Sequence, residues 1–112
     1  MSESSGFDYL VHHADVELPA LYQLFGGYLH QDWKLEYADW PLAIEAFRQD
    51  APPHLREGAI IEIAQLVEAE FSEEELATLL YPSLDCNFLP PARGLSNKEW
   101  LLQVAELLKK SD

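Results

Sequence analysis

Histidines and carboxylates at short spacing are the residues of this chain that could do chemistry. His30 and Asp32 stand two residues apart near the predicted end of a helix, and a His–Asp pair can support general acid–base catalysis. The same residues can instead end a helix by hydrogen-bonding to backbone groups, which is the interpretation that we favour. The sequence contains no phosphate-binding glycine loop, HExxH motif or nucleophile elbow. We therefore predict that the chain is not an enzyme.

The residues that could bind a metal are also poorly placed to do so. His12 and His13 precede Asp15, but adjacent histidines point about 100° apart on a helix and to opposite faces of a strand. Cys86 is the only cysteine, so an internal disulfide is not possible, and we interpret it as a small apolar loop residue. We expect neither a metal nor a cofactor.

Acidic residues dominate the charge of the chain. The chain has twenty Asp and Glu and seven Lys and Arg, for a formal net charge of −13. Residues 57–92 contain no Lys or Arg. Such a field repels nucleic acid and anionic lipid and attracts basic partners. A solvated surface that serves only solubility explains the same excess, so composition leaves both interpretations open.

The elements that must position these residues are helical. Five stretches have helical periodicity, and none alternates convincingly with the period of a strand. The first begins near Pro19 and carries Leu21, Tyr22, Phe25, Tyr28 and Leu29 on one face, with Gly26–Gly27 predicting a close approach of another element. The others begin at an Asp39 N-cap, at Pro53, at a Ser72–Glu75 capping box and at a Ser96–Glu99 capping box.

From these stretches we predict an all-α fold. It is an irregular bundle of about five helices in a single compact domain over residues 1–112, with residues 1–6 disordered. Residues 34–38 are predicted to be a connector, and the third helix is expected to run from Pro53 to Phe71. There is no apolar run near the roughly 18 residues that a membrane span needs and no signal-peptide pattern, so we expect a cytoplasmic protein.

Two segments resemble one known family. The first is the run LYQLFGGYLHQDW over residues 21–33, followed by acidic and aromatic residues. The second combines residues 84–87 (LDCN), Pro90–Pro91, residues 94–96 (GLS) and residues 99–101 (EWL). Both are similar to segments of the contact-dependent growth inhibition immunity proteins, although Leu29 replaces an expected aromatic and Asp85 stands where glycine is common.

The resemblance implies a non-catalytic, cytoplasmic protein that binds and blocks one toxin domain. Its partner would be the cognate toxin C-terminal domain, in a heterodimer, and the acidic charge suggests that this domain is a basic nuclease. No direct contact with nucleic acid or membrane is expected. A generic acidic interaction or regulatory module without a toxin partner is the alternative.

Candidate toxin-binding residues are the acidic side chains that local structure explains least. Glu73, Glu74 and Glu75 already suit the start of a helix, so they are left out. Tyr37 is added as a possible aromatic anchor. The predicted set is Asp32, Glu36, Tyr37, Asp39, Glu68, Glu70 and Asp85.

Overall fold

The computed structural model describes residues 2–110, and the side chains of residues 6–110. Eight α-helices and no strand occur in this range. They are α1 (Ser2–His12), α2 (Ala14–Glu17), α3 (Pro19–Tyr28), α4 (Trp33–Glu36), α5 (Trp40–Asp50), α6 (Pro53–Glu68), α7 (Glu73–Thr78) and α8 (Asn97–Lys109). An irregular turn with an extended backbone at Tyr81 follows α7 over Leu79–Ser83, and a 3-10 turn precedes α8 over Pro90–Arg93. No helix among residues 2–110 is long and apolar enough to cross a membrane.

The all-α prediction is confirmed, but the expected number of about five helices is wrong. α1 and α2 occupy the segment before Pro19, and α4 lies within the stretch that the sequence predicts to be a connector. α2 and α4 have only four residues each, about one turn, which is too short to show a helical period. The backbone of residues 2–6 is helical, and Met1 lies outside the described residues, so the predicted disorder of residues 1–6 stays a prediction. The single domain over residues 1–112 also stays a prediction.

The predicted helix starts are confirmed at α5, α7 and α8. The Asp39 carboxylate accepts a hydrogen bond from the backbone N–H of Trp40 at 2.8 Å. Both capping boxes are formed, at the start of α7 and at the start of α8. α6 begins at Pro53 as expected but ends at Glu68 rather than Phe71, because Glu70 adopts a left-handed backbone with φ of 58° that turns the chain.

Glu62 of α6 caps the start of α3 from another helix. One carboxylate oxygen accepts from the backbone N–H of Leu21 at 2.8 Å and the other from Ala20 at 3.2 Å. Leu18, at the N-cap position of α3, provides no side-chain cap. Glu62 therefore satisfies backbone donors that would otherwise be left without a partner in the core.

Glu73 makes the same kind of cap for α8. Its carboxylate accepts from the backbone N–H of Asn97 at 2.7 Å and of Lys98 at 3.2 Å. The side-chain amide of Asn97 donates in return to the backbone oxygen of Glu73 at 3.2 Å. The first residue of α7 thus fixes the position at which α8 begins.

The close approach of another element occurs at Gly58 instead of at the predicted Gly26–Gly27 pair. A Cβ placed on Gly58 would lie 3.3 Å from the Cβ of Ala20, which is where α6 crosses α3. A Cβ on Gly26 would be in ordinary contact with Asp85 at 3.9 Å, and one on Gly27 would meet nothing within 4 Å. The glycine pair therefore does not carry the tight helix packing that the sequence suggests.

The buried face of α3 is rotated relative to the prediction. Leu24 is buried, together with Leu21, Phe25 and Leu29, whereas Tyr22 is exposed. Tyr28 is half-buried, edge-on to Phe47. Tyr22 follows Leu21 by about 100° around the helix, so it falls at the border of the apolar stripe.

An aromatic cluster centred on Trp100 of α8 joins the helices. Its ring lies 5.4 Å from Phe25, 5.5 Å from Trp40 and 5.2 Å from Phe88, measured between ring centroids. These neighbours come from α3, from α5 and from the loop before the 3-10 turn. The cluster holds that loop against the ends of α3 and α5, where most of the candidate residues lie.

Candidate functional site

α4 and its flanking residues are held to the core by Trp33. This side chain is only 2% exposed and lies edge-on to Phe88, with 6.0 Å between the ring centroids. Its indole N–H donates to the backbone oxygen of Asn87 at 3.4 Å. The backbone N–H of Asn87 in turn donates to the backbone oxygen of Leu29 at 2.9 Å. The end of α3, α4 and the loop before the 3-10 turn are therefore tied together.

His30 ends the α3 segment through a backbone hydrogen bond, as the favoured interpretation predicts. Its Nδ1 accepts from the backbone N–H of Asp32 at 3.0 Å. That bond leaves Nε2 as the nitrogen that carries the proton in the neutral ring, and Nε2 lies 3.4 Å from the carboxylate of Glu36. The Asp32 carboxylate makes no cap for α4. His30 is thus joined to Asp32 through backbone rather than through the side-chain pair that acid–base catalysis would use.

Tyr37 and Asp39 are the candidates most engaged with the rest of the fold. Tyr37 is half-buried against the core, and this burial raises the pKa of its hydroxyl, with further increases from Glu36 and Asp50. Asp39 caps α5 and forms an ion pair with Arg93 at 3.1 Å. The hydrogen bond from Arg93 is the main cause of its lowered pKa. The Asp39 carboxylate therefore already has two partners within the chain.

Asp85 is exposed beside the end of α3. Its φ of 57° is in the left-handed region that favours glycine. The side-chain amide of Asn87 donates to the backbone oxygen of Asp85 at 3.1 Å and to its carboxylate at 3.3 Å. Through Asn87, Asp85 is linked to the same hydrogen-bonded junction as α4.

Glu68 and Glu70 belong to a different part of the surface. Glu68 is the last residue of α6, and Glu70 lies in the turn before α7. Glu70 and Phe71 line a groove whose other wall includes Phe7 of α1, and the two phenylalanine rings are 5.7 Å apart. The structure thus gathers Asp32, Glu36, Tyr37, Asp39 and Asp85 around the end of α3 and leaves these two glutamates beside α1.

Leu35 is an exposed apolar residue that the sequence-based candidates omit. It is 85% exposed, more than any other large hydrophobic side chain among the described residues. The sequence predicts a connector over residues 34–38, and a connector has no helical phase. In a helix that turns Trp33 inward, Leu35 lies about 200° around the axis and points outward. We call Asp32, Leu35, Glu36 and Tyr37 the α4 surface.

Cys86 is not a reactive group in this fold. Its side chain is fully buried and its Sγ lies 3.6 Å from the backbone oxygen of Phe88. Burial raises the pKa of the thiol to about 12, so it stays protonated. This confirms its interpretation as a small apolar loop residue. Among residues 6–110, whose side chains the structure describes, no three His, Cys, Asp or Glu side chains are grouped so that they could hold a metal ion.

Comparison with known proteins gives a family match and a structural match. The model of a family described as CdiI immunity protein matches residues 17–108. A chain of the crystal structure of a CdiA-CT/CdiI complex from Y. kristensenii 33638 superposes with a TM-score of 0.77 and 24% sequence identity. The superposition covers 82% of this chain and 98% of that chain, and it shows the shared fold. A search among curated proteins finds no match.

Proposed function

Because the chain belongs to the CdiI immunity protein family, we propose that it binds and neutralises the toxin C-terminal domain of its own contact-dependent growth inhibition system. The observation that carries this proposal is the family match over residues 17–108, which takes in every helix from α3 to α7 and nearly all of α8. The shared fold with a chain of a CdiA-CT/CdiI complex supports it. The chain acts as an inhibitor and forms a heterodimer with its toxin.

The toxin partner in this proposal is a nuclease with a basic active site. The net charge of −13 favours such a partner over nucleic acid or an anionic membrane. A nuclease binds substrate phosphates through Lys, Arg and His, so carboxylates presented to the same groups compete with the substrate. Inhibition then requires no chemistry from the immunity protein, only occupancy of the toxin's phosphate-binding groups.

The α4 surface and Asp85 supply the carboxylates that meet the toxin. Asp32, Glu36 and Asp85 are exposed and lie on elements that Trp33 and Asn87 tie together. Asp39 contributes less in this proposal, since Arg93 and the start of α5 already occupy its carboxylate. Glu68 and Glu70 remain candidates at a separate surface beside α1, and Tyr37 is a partly buried anchor at the edge of the α4 surface.

The rate of association with the toxin domain tests this proposal. The C-terminal domain of the protein encoded by the neighbouring upstream gene is purified, and its binding is measured at low and high salt. Association is expected to slow as salt rises, because screening shortens the electrostatic range to about 8 Å at 0.15 M. Dissociation should change less.

A pair of charge-reversed variants locates the surface. Asp32→Lys with Glu36→Lys should slow association and weaken protection of cells that carry the toxin. Glu57→Lys with Glu106→Lys changes the net charge by the same amount at exposed positions of α6 and α8, and it should have a smaller effect. Equal losses in the two double variants would show that only the overall charge matters. If the wild-type chain does not bind the toxin domain, the proposed function is wrong.

A further inference from the structure

We infer that Leu35 is the apolar anchor of the toxin interface and that it inserts into an apolar depression on the basic surface of the toxin domain. This inference rests on the proposed function and adds a named contact to it. Leu35 contributes nothing to the core, since 85% of its surface is open to solvent. Its apolar area is therefore available to a partner.

The charges around Leu35 determine the kind of surface that fits it. Asp32, at the N-cap position of α4, is one turn before Glu36, and both residues are exposed beside Leu35. Lys34, the basic residue of this helix, lies with its ammonium 5.9 Å from the Trp33 ring centroid, on the ring that anchors α4 to the core. A partner that covers Leu35 must also face the two carboxylates. An apolar depression bordered by Lys or Arg satisfies both requirements.

The backbone beneath Leu35 is already ordered in the free chain. Trp33 is buried, and the backbone N–H groups of Leu35 and Tyr37 donate to the backbone oxygens of Asp32 and Trp33, both at 2.9 Å. The Nε2 atom of His30 also lies 3.4 Å from the carboxylate of Glu36. A preorganised anchor loses little conformational entropy on binding, so burial of its side chain contributes more to affinity.

Single exposed aliphatic side chains are common on protein surfaces, so a matched control is needed. Ile61 provides it, because it is 57% exposed on the outward face of α6 and also stands among acidic residues. Both residues can be shortened to Ala, which suits a helix and leaves the charges unchanged. Leu35→Met serves as the conservative variant, since it keeps the apolar volume.

The dissociation rate of the complex with the upstream-encoded toxin domain is the measurement. Leu35→Ala should dissociate roughly 30-fold faster than the wild type or more, which is the threshold of an interface hot spot, with association nearly unchanged. Leu35→Met and Ile61→Ala should dissociate like the wild type. Thermal unfolding of each variant checks that the fold is unaffected.

The outcomes separate the anchor from the proposed function. If the wild type binds with the expected salt dependence but Leu35→Ala dissociates at the wild-type rate, Leu35 is not an anchor of the interface. The proposed function then stands. If Ile61→Ala is the variant that dissociates faster, the contact lies on α6 instead, and the inference is again overturned. Failure of the wild type to bind the toxin domain overturns both.

Discussion

Glu62 is a carboxylate that folding removes from solvent almost completely, with 8% of the residue exposed. Burial raises its pKa, and the hydrogen bonds from Leu21 and Ala20 offset only part of that rise. The folded chain therefore holds the Glu62 proton more tightly than the unfolded chain does. The resulting stability is fully present below the unfolded-state pKa and is lost as the pH rises through the folded-state pKa.

Replacement of Glu62 by Gln removes this titration. The free energy of unfolding of Glu62→Gln is expected to rise relative to the wild type between about pH 4 and pH 7, because only the wild type loses the contribution of Glu62 over that range. Urea denaturation at the two pH values measures the difference. Glu57→Gln, at an exposed glutamate of the same helix, is the matched control. An equal rise in both variants would show that lost net charge, and not burial, is the cause.

Trp33 and Leu35 are two residues apart, but their environments are opposite. Trp33 is 2% exposed and packs on Phe88, so Trp33→Ala should lower the free energy of unfolding by roughly 3–5 kcal/mol. Leu35→Ala should change it by no more than about 0.5 kcal/mol. Chemical denaturation of the two variants tests the orientation of α4. Comparable losses in both would mean that α4 is not positioned as described.

The helices that the sequence predicts well are those whose ends are set by nearby residues. Both capping boxes join side chains and backbone groups three residues apart, and the Asp39 cap acts on the next residue. α4 does not follow from the sequence pattern, because a single helical turn is too short to show a period. The caps made by Glu62 and Glu73 cannot be predicted in this way, since they join residues 41 and 24 positions apart and leave no local pattern.

In the candidate site, too, local features can be predicted from the sequence and contacts between distant residues cannot. Exposure of Asp32 and Glu36 is predictable from the sequence, because Asp32 stands at the predicted end of a helix and Glu36 in the predicted connector. The role of Asp39 could be only half predicted, because its capping bond is local whereas its partner Arg93 is 54 residues away. The exposure of Leu35 can be predicted only when the helical phase of α4 is known. That phase depends on the contacts of Trp33 with Phe88 and Asn87.

The cap that Glu73 of α7 provides for the start of α8 can be tested by substitution. Glu73→Ala removes the acceptor of two backbone N–H groups at the start of α8 and should destabilise the fold by roughly 1–2 kcal/mol. Glu74→Ala removes the same charge from an exposed neighbour and should cost no more than about 0.5 kcal/mol. Denaturation curves of the two variants compare them. Equal stability would mean that the Glu73 cap contributes nothing measurable.

At the scale of the whole molecule, the net charge of −13 acts on folding as well as on binding. Like charges repel each other most when the chain is compact, so added salt should stabilise the fold by screening them. We expect the midpoint of thermal unfolding to rise between about 0.05 and 0.5 M NaCl, while toxin association slows over the same range. A midpoint that falls with salt would indicate that attractive ion pairs outweigh the repulsion.

Covalent modification of the buried Cys86 thiol reports how often the loop around it opens. The Cys86 thiol is fully buried, and burial raises its pKa to about 12, so an oxidant or alkylating agent reacts with it only while the surrounding loop is detached from the core. Its modification rate is then set by how often that loop opens. Because the loop is tied through Asn87 to α4, a bound partner on the α4 surface would slow the reaction without touching the sulfur.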